Sequence, residues 1–344
     1  MAKKKKKGSF GRMVLTFLCV LLALVLAVLI AGTVYVNSFL DKINRFEDAS
    51  EPTYSAEEED LILSETDPEE EIGEVEEIDE ADIDKPDAPA ETIEEDEHII
   101  NILLIGQDRR PGQGRQRSDA MILCTVNTEK KTLVMTSFLR DLYVQFPDFN
   151  GRSYSDNRIN ATYVIGGMEM LDETLKLNFG VHVDHNIEVD FTGFEKIIDL
   201  LGGVQINLTK AEANWMGDGL KAGVNQLNGE KALQYARIRK LDGDFNRTNR
   251  QRTVLAAVFE KVRGMSLTKL TELAESIMPM ITTDMTNSEI IGYVLEFFPI
   301  LSELEITTQH IPAEGTYKHA RVRGMAVLLP DFEENIQILK DTIG

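Results

Sequence analysis

The chain opens with an uncharged run of 24 residues, Met13 to Val36, directly after Lys3 to Lys7 and Arg12. A helix of that length, rising 1.5 Å per residue, spans a bilayer. The run is longer than the apolar core of a signal peptide. It ends Thr-Val-Tyr-Val-Asn, with no small-residue cleavage site, so an uncleaved anchor is expected. The lysines keep residues 1–12 in the cytoplasm and send everything after Val36 outside. Residues 37–97 carry no sustained apolar period. From His98 strand and helix patterns alternate. Continuous or alternating apolar runs predict strands at His98–Ile105, Ala120–Val126, Thr132–Leu139, Ile187–Phe191, Val204–Leu208 and Leu304–Ile311. Helical periods predict helices over Asn160–Leu177, a stretch opened by Thr192 and Glu195 and closed at Leu201, Asn228–Tyr235, Phe245–Arg263, Thr286–Phe298 and Pro330–Ile343. The pattern is that of an α/β domain with a central mixed sheet flanked by helices.

Charge divides the chain in the same places. Residues 47–97 hold 25 Asp and Glu against one lysine, Lys85, and so account for most of the net charge of −22. With four prolines and few large apolar residues, 37–97 is expected to be a disordered, self-repelling spacer. Residues 98–344 form one domain with a net charge of about −5, too acidic for nucleic acid, and Cys124 is its only cysteine. An extracytoplasmic domain without an internal disulfide depends on its core.

The densest chemistry lies between Gln234 and Arg252, which includes Arg237, Arg239, Arg247, Arg250 and Arg252. Arg247 and Gln251 are one helical turn apart, and their stripe continues through Val254, Val258 and Val262. An inward face that begins with a guanidinium and an amide calls for an anion. The competing reading pairs these arginines with Asp242 and Asp244. Arg252, about 140° round the helix from Arg247, is expected to be solvated. Carboxylates also stand at strand ends: Asp108 after the first strand, Asp119 at the start of the second, and Asp141 after the third. Interleaved are Arg109, Arg110, Arg115, Arg117 and Arg140. Two carboxylates suit a hard cation, and planar guanidiniums take phosphate oxygens in pairs, so the set fits a pyrophosphate; an ion-pair network at a sheet edge is the alternative. There is no P-loop, dinucleotide fingerprint, His-Glu-x-x-His or Gly-x-Ser-x-Gly. His182 and His185 read as surface or loop residues.

With these motifs in order, the chain resembles the LytR-CpsA-Psr family of envelope proteins. The motifs that carry the resemblance are Asn-Ile-Leu-Leu-Ile-Gly-Gln-Asp (101–108), Arg-Ser-Asp-Ala-Met (117–121), Ser-Phe-Leu-Arg-Asp-Leu-Tyr-Val (137–144), Arg-Ile-Asn-Ala-Thr-Tyr-Val-Ile-Gly-Gly (158–167), Val-Asp-Phe-Thr-Gly-Phe (189–194), Leu-Gly-Gly-Val (201–204) and the arginine-rich stretch. They cover 99–265, and the resemblance fades beyond. Where the family usually has Pro before the arginine of the third motif, this chain has Leu139. The resemblance implies a ligase that transfers an anionic glycopolymer, such as teichoic acid or capsular polysaccharide, from a polyprenyl pyrophosphate carrier to peptidoglycan. It places the enzyme in the cell membrane of a Gram-positive type of envelope. Carried over by motif, Asp108 and Asp119 would hold Mg²⁺ (or Mn²⁺). Arg117, Arg140, Arg237, Arg239 and Arg247 would bind the pyrophosphate, with Gln251 beside them. Arg140, Arg239, Asp244 and Arg247 would be catalytic, Asp244 orienting an arginine or removing a proton, while Asp141 supports Arg140. The polyprenyl tail would run between the sheet and the helices at 160–177 and 245–263. A non-catalytic binder or regulator of lipid-linked precursors, and a pyrophosphatase with water as acceptor, would use the same site.

Overall fold

The computed structural model describes residues 35–46, 55–64, 75–86, 89–94, 97–109 and 114–343. The expected membrane span lies, except for residues 35 and 36, outside the described residues, and no helix within them is long and apolar enough to cross a membrane. The chain divides into two compact units. In the first, residues 35–40 are helical; the second begins at Asn44 and contains all that follows.

The sheet is built from β1 (Ile99–Gln107), β2 (Ser118–Asn127), β3 (Thr132–Phe138), β4 (His185–Asp190), β5 (Thr282–Thr283) and β6 (Glu305–Ile311), with Asn44–Arg45 at one edge. The order across it is 44–45, β5, β4, β1, β2, β3, β6. β1, β2 and β3 form an antiparallel meander, whereas β4 pairs parallel to β1 and β6 parallel to β3, so the sheet is mixed as expected. Both faces are covered, which is why the strands read as continuous apolar runs. Leu103, Ile105, Met121 and Leu123 pack with Leu171, Leu175 and Phe179 of α2 (Asn160–Phe179), which follows α1 (Ala56–Ser64) in the chain. Ile122, Cys124, Leu133 and Met135 face the other way, toward Leu255 and Phe259. Three further helices, α3 (Phe191–Leu200), α4 (Gly229–Ala236) and α5 (Asp244–Val262), share a second core with Val204, Ile206 and Leu227.

Several local expectations change. The cap of α3 is Asp190, whose carboxylate accepts from the Gly193 amide at 2.6 Å, not Thr192. β4 runs straight into the helix, so the last strand residue does the capping. Thr286 and Glu289 do form a capping box. A helix at Lys210–Met216 and a hairpin of Tyr317–Val322 with Met325–Pro330 were not foreseen.

The larger correction concerns the spacer. From Asn44 on, its described parts are packed with the domain. Ile93 is buried in the main core and its amide donates to the Gly180 carbonyl at 2.8 Å; the Ala90 amide donates to Leu177 at 2.9 Å. This strap crosses the end of α2 so closely that a Cβ on Gly180, where φ is +70°, would strike the Glu91 carbonyl oxygen. Farther back, the Ile78 amide donates to the Arg321 carbonyl of the 317–330 hairpin at 2.8 Å, and the Arg321 amide donates to the Glu76 carbonyl at 2.9 Å. Low apolar content prevents a segment from folding alone. It does not prevent a few isoleucines from filling slots that an existing core provides.

One buried carboxylate makes stability depend on pH. Asp172 of α2 accepts from the Asn186 amide group at 2.7 Å. Burial pushes it up from 3.8 to about 8, the Asn186 bond works against that rise, and the nearby Asp284 charge adds to it. Between these values the unfolded chain loses the proton and the folded chain keeps it. Stability therefore falls as pH rises from about 4 to 8, then levels off. Asp172→Asn is expected to flatten this slope and to stabilise the protein at pH 8 by roughly 1–3 kcal/mol, measured by urea unfolding across that range.

Candidate active site

A cavity of about 380 Å³ lies between one face of the sheet and α3, α4 and α5. The sheet contributes Leu104 and Gly106 of β1, Ala120 and Ile122 of β2, and Ile187 and Val189 of β4. Apart from Ile105, which also reaches the lining, these are alternate residues, as the pleat requires. Small side chains create the space: a Cβ on Gly106 would lie 3.2 Å from that of Ala120. Across from the sheet stand Phe191, Phe194, Ile197 and Ile198 of α3, Leu233 and Ala236 of α4, and Val254, Leu255 and Val258 of α5. The helix at 245–263 thus lines an apolar cavity as expected. The helix at 160–177 does not, because it covers the opposite face of the sheet.

The mouth is polar, formed by Asp119, Arg140, Arg237, Arg239, Arg247 and Gln251. Arg140 leaves the end of β3 and donates from Nη1 to Asp119 at 2.9 Å. Its Nε lies 3.5 Å from Asp141, the contact expected of a supporting carboxylate. Asp244 opens the first turn of α5, behind Gly243 at φ +90°. Three guanidiniums converge on its Oδ1: Arg247 Nη2 at 2.8 Å, Arg239 Nε at 3.6 Å and Arg140 Nε at 4.0 Å. Charge is paired here, but hydrogen-bonding capacity is not used up. Both Asp244 oxygens, Arg247 Nε and Nη2, and Gln251 Oε1 are buried without a hydrogen-bond partner, since even the 2.8 Å contact lacks hydrogen-bond alignment. Buried polar atoms in native proteins are nearly always satisfied, so this cluster is a candidate site for an anionic ligand.

The electrostatics follow from burial. Burial pushes the Asp244 carboxyl above the ordinary carboxylate range, the Arg247 guanidinium pulls it back, and Asp141 adds to the rise. Burial likewise weakens the hold of Arg247 on its proton, with Asp244 opposing. A carboxylate of raised basicity beside fixed cations can take a proton while the cations hold an anion.

The other expected residues lie outside the cavity wall. Asp108 stands 3.6 Å from Arg237, whose guanidinium also lies 4.9 Å from the ring centroid of Phe191. Arg117 donates instead to the backbone carbonyl of Ile62 in α1. Arg252, expected in solvent, is 3% exposed, and burial lowers it to about 10. Helix α5 packs on two sides, so the face turned from the cavity is enclosed as well. Arg250 follows the competing reading, paired with Asp242 and Glu212. Two features escaped the sequence. Arg158, 1% exposed, supports Asp141 from 3.7 Å, and α3 supplies much of the apolar wall. The spacing of Phe191, Phe194, Ile197 and Ile198 along one face of a helix was the available signal for that wall.

Among the described residues no three His, Cys, Asp or Glu are placed to hold a metal. Asp119 lines the mouth and Asp108 stands beside Arg237; both are hard oxygen donors of the kind Mg²⁺ takes.

The LytR_cpsA_psr family model matches residues 69–341, so the match reaches well past residue 265. The regulatory protein MsrR of Staphylococcus aureus is 34% identical over 248 residues, 70% of this chain and 73% of that one. The polyisoprenyl-teichoic acid–peptidoglycan teichoic acid transferase TagU of Bacillus licheniformis is 37% identical over 190 residues, 54% of this chain and 60% of that one. The structure of TagT bound to LIIa-WTA superposes with a TM-score of 0.58 at 25% identity, covering 75% of this chain and 95% of that one.

Proposed function

The chain belongs to the LytR-CpsA-Psr family, and from that premise we propose that it transfers an anionic glycopolymer from a polyprenyl pyrophosphate carrier to peptidoglycan. The observation that carries this reading is the cluster of buried, unsatisfied polar atoms on Arg247, Asp244 and Gln251 at the mouth of an apolar cavity. An anionic head and a hydrocarbon tail meet their complements side by side. TagU, named as a teichoic acid transferase, and TagT, solved with LIIa-WTA, support the substrate class. Residues 13–36 would anchor the protein, with the catalytic unit outside the membrane.

In this reading Arg140, Arg239 and Arg247 grip the pyrophosphate oxygens, and Arg237 adds charge at the rim. Asp244 takes the proton from a peptidoglycan hydroxyl as that oxygen attacks the sugar-proximal phosphorus. A P–O bond to the acceptor forms, the bridging P–O bond breaks, and polyprenyl phosphate leaves with the electron pair. The arginines stabilise charge that grows on the bridging oxygen. Mg²⁺ held by Asp119 and Asp108 would supply further positive charge to the same oxygens. Asp141, held by Arg158, keeps Arg140 aimed.

The test is transfer of labelled sugar from a synthetic polyprenyl-pyrophosphate oligosaccharide to purified peptidoglycan, with the full chain in detergent. A fragment starting at His98 would lose the strap that fills the core with Ile93. Label in the wall fraction, lost with EDTA, is the expected result. Release of free sugar phosphate without transfer would establish a pyrophosphatase, and binding without turnover would establish a binder.

A further inference from the structure

A second, polar cavity of about 310 Å³ lies under α1 and plays no part in the site above. Its floor is Arg152, Tyr154, Asn157 and Arg323, with Ser153 and Ser155; its roof is Asp60, Leu63 and Ser64 of α1. The contacts across it run one way. Arg152 donates to Glu59 and, at 2.7 Å, to Asp60. Tyr154 donates from its hydroxyl to Glu59 at 3.2 Å, Asn157 to the Leu63 carbonyl at 3.1 Å, and Arg117 to the Ile62 carbonyl. The domain supplies donors only, and α1 supplies acceptors only. We propose that this groove is a docking surface for the phosphodiester chain of the anionic glycopolymer, and that α1 occupies it as an internal stand-in. The polymer's identity rests on the transferase reading; the surface rests on the geometry.

A phosphodiester chain offers what α1 offers: acceptor oxygens at short intervals, with negative charge and no donors. Arg152 presents the guanidinium fork that suits such oxygens. The groove keeps its own acids under control, since Asp156 is paired with Lys85 and its carbonyl accepts from Arg323, which also lies 3.7 Å from Glu80. With α1 away, Arg152 would lose both of its carboxylate partners, Glu59 and Asp60, beside Arg323.

The occupant is built to be displaced. Helix α1 has nine residues, too few to hold its shape alone. It carries Glu57, Glu58, Glu59 and Asp60 without a basic residue in its last turn. Its Leu61 is exposed, and Leu63 is its one apolar side chain packed against the main core. The groove and the mouth of the active site draw on neighbouring positions of the chain. Arg117 stands two residues before Asp119, and Asn157 immediately precedes Arg158, which holds Asp141 and through it Arg140. Arrival of the polymer in place of α1 would break the Arg117 contact with the Ile62 carbonyl.

The test is calorimetric titration of the full chain in detergent with a poly(glycerol phosphate) oligomer that has neither lipid nor pyrophosphate. Glu59→Gln with Asp60→Asn is expected to bind it at least fivefold more tightly than the unaltered chain. Adding Arg152→Gln is expected to remove that gain, and neutral dextran is expected not to bind. Circular dichroism on each variant checks that the domain stays folded, and Arg323→Gln serves as a second probe of the floor if Arg152→Gln does not fold. No gain from the double substitution, or a gain insensitive to both floor substitutions, would overturn the proposal. The gain from Glu59→Gln with Asp60→Asn is expected whether or not labelled sugar is transferred to peptidoglycan, so loss of the transferase reading and loss of this one can be told apart.

Discussion

Arg247→Ala is expected to lower the transfer rate by roughly 10²–10³-fold, the usual cost of losing one preorganised donor to a charged transition state. The size follows from where the residue sits. Its side chain is buried, its nearest partner is Asp244 at 2.8 Å, and two of its nitrogens have no hydrogen-bond acceptor. Those donors are already oriented and desolvated, so the pyrophosphate gains them without reorganisation. The substitution also strips Asp244 of the cation that most opposes the effect of burial, so the carboxyl rises further above its ordinary range. The acid limb of the pH–rate profile should therefore move to higher pH, because transfer needs Asp244 ionised and the rate climbs as pH passes its pKa. Arg247→Lys restores charge but not the planar fork and is expected to recover only part of the rate. Single-turnover transfer over a pH series measures both effects. An unchanged rate in Arg247→Ala would remove the residue from the mechanism.

Arg250→Met should cost about 3 kcal/mol or more of stability, although Arg250 stands only three positions from Arg247. Its Nε donates to the buried Glu212 at 2.7 Å, and its terminal nitrogens reach Asp242 at 2.8 and 2.6 Å and the Ile238 carbonyl at 3.0 Å. Removing it leaves Glu212 ionised and enclosed with its main cation gone. It also frees the turn that carries Arg237 and Arg239, so activity should fall along with the melting temperature. At roughly 2–4 °C per kcal/mol, thermal unfolding should shift down by about 10 °C. The double variant Arg250→Met, Glu212→Leu should recover much of the loss, since the stranded charge is gone. Arg252 provides the internal contrast. It is equally buried, and its Nε and Nη1 have no hydrogen-bond partner. Arg252→Met is therefore expected to leave the melting temperature unchanged or higher.

These three arginines show how far periodicity reaches. The 3.6-residue period placed Arg247 and Gln251 on the apolar stripe of α5, and they do stand at the mouth of the apolar cavity. The same period sent Arg252 to solvent and failed. It gives the angle between side chains on one helix but not how many faces of that helix its neighbours cover. Arg117 illustrates the complementary gap. Its motif is plain in the sequence, but the group it meets, the Ile62 carbonyl, lies in a segment whose composition reads as disordered.

The sequence by itself determined the five long strands of the central sheet and most helices, because alternation and the helical period are local properties of a buried surface. It also determined the family, because the motifs are contiguous, and the list of charged residues from which a site could be made. Only the tertiary structure decided which of them meet. Asp244, Arg140, Arg239 and Arg247 come together because β3, α5 and the turn between α4 and α5 end at one place. Arg250 turns inward to Glu212, α2 is excluded from the cavity by the face of the sheet it covers, and the acidic segment is held by slots in a core it could not build. Convergence of this kind depends on contacts between residues distant in the chain, and no local pattern encodes their distance or their partners.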